Sequence, residues 1–169
     1  MSKQPATPSQ LADRLAAYFP PPLTPTVLEE YGLEQTASKT AELTREFLAL
    51  SLFWIESALE AHYRGIGDVL VLPEVHRRLR ERWTGGYGLK ESDWERLLTE
   101  LPDRFREYAR VKNEGGSAVA VFSEAGMSLE SNWVVRSEDQ SQLLALMIDL
   151  IPVEPIGQLF DAYELVAPA

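Results

Sequence analysis

Residues 38–64 carry the densest hydrophobic pattern in the chain. They contain no Pro or Gly, are rich in good helix formers and run into Gly65, which predicts one long helix from Ser38 to Arg64. At about 100° per residue, Leu43, Phe47, Leu50, Trp54, Ala58 and Ala61 share one line, and Leu48, Leu52, Ile55 and Leu59 widen it. The apolar arc spans about 200°, twice the stripe of an ordinary surface helix, so this helix is expected at the centre with neighbours on two sides. The remaining polar strip holds Glu42, Arg45, Glu46, Glu56, Glu60 and Arg64, with Phe53 standing among them.

The flanking pattern is also mostly helical. Ser9 as N-cap, followed by Leu11, Leu15, Tyr18 and Phe19, predicts a first helix that the prolines at 20, 21 and 22 close. Thr24 before Pro25 opens a short helix that Gly32 ends. Beyond Gly65-Ile66-Gly67 a helix is expected from Pro73 to Trp83. After the glycine-rich turn at 85–88, Ser92 and Glu95 form a capping box for a helix burying Trp94, Leu97, Leu98 and Leu101. Pro102 kinks or restarts it, and Phe105, Tyr108 and Val111 carry its apolar face to Lys112. Residues 117–122 and 132–136, rich in Val and aromatics around Glu124-Ala125-Gly126, predict a β-hairpin. Ser137 and Gln140 form a second capping box before an apolar helix at 143–150, and Pro152 and Pro155 separate it from a last amphipathic segment containing Ile156, Leu159, Phe160 and Tyr163. The fold class is therefore mainly α: one irregular helical domain around a long central helix, with a small β-hairpin in the C-terminal third. Its parts are a proline-containing N-terminal segment (1–37), a helical core (38–112), the hairpin (113–136) and C-terminal helices (137–166).

Composition narrows the chemistry. A chain of 169 residues, 45% apolar and 25% charged, has the balance of one globular domain, with 16 Lys and Arg against 26 Asp and Glu. The absence of Cys removes thiol nucleophiles, iron–sulfur ligation and Cys-based zinc sites, and fits a reducing compartment. The first ten residues lack the apolar run of an export signal, and the apolar runs at 47–55 and 143–153 fall short of the ~20 residues that cross a bilayer. A cytoplasmic protein with no membrane contact is expected. Of the net charge of −10, residues 111–169 carry −7, which works against binding a phosphate backbone, so nucleic acid is not an expected partner.

Motifs add little. His62 falls in the apolar arc of the central helix near Thr44 and Ser51. This polar seam is either a set of core groups bonded to helix carbonyls or the floor of a small-molecule pocket. His62 and His76 each follow a Glu at i+2, a spacing that places the two side chains on opposite helix faces, so no metal or cofactor is expected. The pairs Glu42/Glu46 and Glu56/Glu60 lie on the polar strip, where solvation is expected. Arg77, Arg78, Arg80 and Arg82 precede a helix that opens with Glu91, Asp93 and Glu95, the reverse of the charge order of a helix-turn-helix reader. Residues 85–88 lack the Gly-Lys-Ser/Thr ending of a phosphate loop. Trp54, Trp83, Trp94 and Trp133 sit in four separate elements, as core anchors would. Phe53 is either covered by another segment or a contact for a partner.

The expected function is a non-enzymatic protein-interaction domain, an adaptor, assembly factor or inhibitor, whose acidic surface meets a basic protein partner or a second copy of the chain. The residues assigned to that contact are Phe53, Glu46, Glu56, Glu60, Glu124, Glu130 and Glu138. Two alternatives stand beside it: a small-molecule binder or enzyme built on His62, Thr44 and Ser51, and an acidic mimic of nucleic acid.

Overall fold

The computed structural model describes residues 2–166. The chain is mainly α. Its elements in order are β1 (Gln4–Ala6), α1 (Pro8–Ala16), α2 (Pro25–Glu30), α3 (Ala37–His62), α4 (Gly67–Leu70), α5 (Leu72–Arg82), α6 (Ser92–Asn113), α7 (Ala118–Ser131), a 3-10 turn (Ser137–Asp139), α8 (Gln140–Leu150), α9 (Val153–Ala162) and β2 (Tyr163–Leu165).

Helix α3 is the centre that its wide apolar arc predicts. Leu43, Leu48, Leu50, Leu52, Ile55 and Leu59 are fully buried, each contributing about 1.5–3 kcal/mol of transfer free energy. α4, α6, α7 and α9 all pack against α3. Thr36 opens α3, its hydroxyl accepting the amide of Lys39 at 3.3 Å.

Three helix starts differ from the sequence expectation. α1 is capped by Thr7, whose hydroxyl accepts the Gln10 amide at 3.2 Å while the Gln10 side chain returns to the Thr7 amide at 2.9 Å. Ser9, the expected cap, lies inside the first turn and accepts from Arg78 instead. Arg78 is buried on α5 and donates to Asp13 at 2.5 Å, to Glu74 at 2.9 Å, and to Ser9 Oγ and carbonyl at 2.8 and 2.9 Å. The arginine run thus pins α1 to α5 through Arg78, while its exposed neighbour Arg77 pairs with Glu74 and Glu81 on its own helix. Neither expected capping box forms at Ser92 or Ser137. α6 passes through Pro102 without a break.

The expected hairpin is absent. Residues 118–131 form helix α7, opened by Ser117, whose hydroxyl accepts the Ala120 amide at 3.3 Å. Its buried positions Val121, Phe122, Ala125, Gly126 and Leu129 follow helical spacing, which overrides the β propensity of its valines. A Cβ at Gly126 would lie 2.5 Å from Gln140 Oε1, and the Gln140 amide donates to the Gly126 carbonyl at 2.9 Å, so glycine permits the close approach of α7 and α8. The only strands among the described residues are β1 and β2, which pair in parallel with Gln4 opposite Tyr163 and Ala6 opposite Leu165. They bring residues 4–6 alongside residues 163–165.

By length and composition, residues 137–162 reach membrane-spanning hydropathy, with a mean of 1.6 over 18 residues. Ile151 leaves helical backbone at ψ 98°, dividing the stretch into α8 and α9. Both turn residues inward: Leu143, Leu146 and Met147 from α8, and Ile156 and Phe160 from α9.

Candidate functional site: the α3–α6–α7 groove

The middle of the polar strip of α3, at Arg45, Glu46 and Phe53, is buried against protein. α6 lies along it, and the Glu46 carboxylate, 1% exposed, accepts from Arg104 and from the Tyr108 hydroxyl. Burial pushes the Glu46 carboxyl up against the opposing pull of Arg104 and Tyr108. Burial, then the neighbouring carboxylate, holds the Tyr108 phenol well above its ordinary value. Arg104 also reaches Glu100 at 3.7 Å, and Glu42 pairs with Arg45 and, at 3.5 Å, with Arg96. A carboxylate with a guanidinium on one oxygen and a phenol on the other is an anchor between two helices.

Phe53 lies two turns further along the same strip. It is 5% exposed and packs edge to face on Phe105 and Tyr108, with ring centroids 5.7 and 5.4 Å apart. The expected partner contacts Phe53 and Glu46 are therefore part of the α3–α6 packing, because the strip they occupy is covered by a neighbouring helix.

A cleft of about 440 Å³ opens above this anchor, lined by Ser38 and Lys39 at the start of α3, Arg96, Glu100 and Arg104 on α6, and Trp133 after α7. Arg104 and Ser128 also line an adjoining cavity of about 330 Å³ that reaches Glu46, Tyr108 and Glu124. Together the two form a groove between α6 and α7.

Trp133 stands at the mouth of the cleft, 84% exposed. Its φ is +59°, and among the described residues it is the only non-glycine at positive φ. The geometry follows from how α7 ends. Val134 N donates to the Leu129 carbonyl at 2.9 Å, six residues round to one, and Leu129 and Val134 are both buried. This is a Schellman closure, whose left-handed position belongs to glycine on steric grounds. The ends of α2 and α6 close the same way, Leu33 to Leu28 and Gly116 to Val111, with Gly32 at +73° and Gly115 at +83° in the left-handed position. At the end of α7 an exposed indole takes that place.

The chain matches no protein-family model, no curated protein and no solved structure.

The remaining expected residues do not converge. Thr44 and Ser51 are buried, and their hydroxyls donate to the Thr40 and Phe47 carbonyls at 2.8 and 2.9 Å, as core groups do. His62 is exposed, in the last turn of α3 beyond the helices that cover its middle, with its ring stacked on Phe160 at 5.1 Å. The seam therefore has no buried imidazole and forms no pocket floor. Glu60 is exposed beside Arg64, and Glu56 is half-buried, its carboxyl raised by burial, then by Asp68 and Glu60. Glu124 approaches Arg110 at 3.5 Å, Glu130 accepts from Gln140 at 3.1 Å, and Glu138 pairs with Arg136 at 3.1 Å. These three acids face three different neighbours. Among the described residues no group of His, Asp or Glu is placed to hold a metal ion.

The sequence reading missed Arg104, Tyr108 and Trp133 as groove residues. Trp133 is no core anchor, unlike Trp54, Trp83 and Trp94, which are buried. A helical reading of residues 118–131 would have put Trp133 at the position after the C-cap, where its size stands out.

Proposed function

We propose that the chain is a protein-interaction domain, with no catalysis of its own, whose contact surface is centred on Trp133. The supporting observation is the indole itself: a large aromatic 84% exposed, on a backbone conformation that disfavours any side chain. The left-handed backbone costs stability, and the exposed indole recovers little of that cost through burial. Aromatic residues of this kind are the usual centres of binding energy at protein interfaces.

The reading moves the contact from an acidic patch to an aromatic one. Glu124, Glu130 and Glu138 are engaged within the chain, which favours Trp133 over them as the centre. The same pairing weakens mimicry of nucleic acid, which needs a row of unpaired carboxylates.

Native mass spectrometry of protein gently purified from its own cells tests the proposal. Wild type is expected to carry a protein adduct in fixed ratio, and Trp133→Ala to lose it with an unchanged melting temperature. An adduct retained by Trp133→Ala, or a small molecule as the sole adduct, would overturn it.

A further inference from the structure

The cleft beside Trp133 differs in charge from the chain as a whole. The protein carries −10, yet the cleft is lined by Lys39, Arg96 and Arg104 against Glu42 and Glu100. Both acids are already engaged: Glu42 by Arg45 and Arg96, and Glu100 by Arg96 and Arg104. The donors are not exhausted. Among the described residues Lys39 Nζ has no acceptor, Arg96 uses Nε and Nη1 but not Nη2, and Arg104 has no acceptor at Nε. The start of the 26-residue helix α3 enters the same cleft through Ser38 and Lys39, and its first turn carries no acid, so the positive end of its dipole is not neutralised there by a carboxylate of its own.

We infer that this cleft takes an acidic segment of the protein partner, a carboxylate side chain lying on Lys39, Arg96 and Arg104 and an adjacent aromatic or apolar side chain lying on the Trp133 indole. The inference rests on the interaction reading above and specifies its partner. Charge complementarity decides the occupant. A basic segment would find no free acceptor, because Glu42 and Glu100 are already bonded to arginines, whereas a carboxylate meets the unused donors of Lys39, Arg96 and Arg104. At about 440 Å³ the cleft has the size of a site for one or two side chains of a bound segment.

A phage-displayed random heptapeptide library, selected on the immobilised full chain and counter-selected on Trp133→Ala, tests this without assuming a sequence. Enriched peptides are expected to carry net negative charge and an aromatic residue. Titration calorimetry with the best synthetic peptide should show binding about tenfold weaker to Lys39→Ala and to Arg96→Gln, and unchanged for Arg106→Gln, an exposed arginine on α6 outside the cleft lining. Melting curves of all variants confirm folding. Enrichment of basic or uncharged peptides, no enrichment, or equal binding by Arg96→Gln would overturn the inference. Basic peptides that still require Trp133 would sink the acidic partner alone, whereas a cellular adduct that survives Trp133→Ala sinks the interaction reading beneath it.

Discussion

Glu46 of α3 accepts the hydroxyl of Tyr108 of α6, closing a buried polar contact beneath the rings of Phe53 and Phe105. Tyr108→Phe keeps the ring packing and leaves the buried carboxylate one donor short. A loss of about 1–3 kcal/mol in unfolding free energy is expected from urea melts. A change within error would mean that Arg104 alone satisfies Glu46.

The same carboxyl gives a pH dependence. Burial holds it above its ordinary value of 4.5 in the folded chain, so the native state binds more protons than the unfolded state in that interval. Its contribution is fullest below about pH 4.5 and is lost as pH rises through the folded value. Wild type is therefore expected to lose stability relative to Glu46→Gln as pH rises from 4.5 toward neutrality. Parallel stability curves for the two proteins would contradict this.

His76 has the opposite sign. Its buried Nε2 has no hydrogen-bond partner among the described residues, and burial holds the imidazole below its ordinary 6.5. The unfolded chain binds the proton first, so stability is present above pH 6.5 and is lost as pH falls through the folded value. His76→Gln should lack this loss, and urea melts from pH 7 down to pH 5 compare the two.

Arg78 and Arg77 are neighbours in sequence with different work. Arg78→Ala removes a buried guanidinium bonded to Asp13, Glu74 and Ser9, and about 2–3 kcal/mol of stability should go with it. Arg77→Ala removes only exposed pairs along α5 and is expected to cost less than about 0.5 kcal/mol. Equal effects would show that α1 is not held through Arg78.

Much of this was legible in the sequence where one pattern dominated. The 200° arc of α3 had only one helical solution, and Thr24-Pro25 with Gly32 bounded α2 on local chemistry alone. Among the inferences that failed, two have plain physical reasons. Val119, Val121 and Phe122 have strand propensity, but the helical spacing of Val121, Ala125 and Leu129 decides the element. Glu46 read as solvated because a polar residue was equated with an exposed one. Phe53, seven residues on and therefore on the same line of α3, was the signal that another helix covers that strip. The groove depends on α7 and so was hidden with it.

Trp133 carries the central claim, and Trp133→Gly tests it most directly, with unfolding free energy and adduct occupancy measured on the same protein. Glycine suits the left-handed position that closes α7, so the variant is expected to be as stable as wild type or up to about 1 kcal/mol more stable, while the partner adduct in native mass spectra falls at least tenfold. A variant that loses more than about 1 kcal/mol, or that keeps its partner, would contradict the account: the first by showing that the indole packs within its own chain, the second by showing that the contact lies elsewhere.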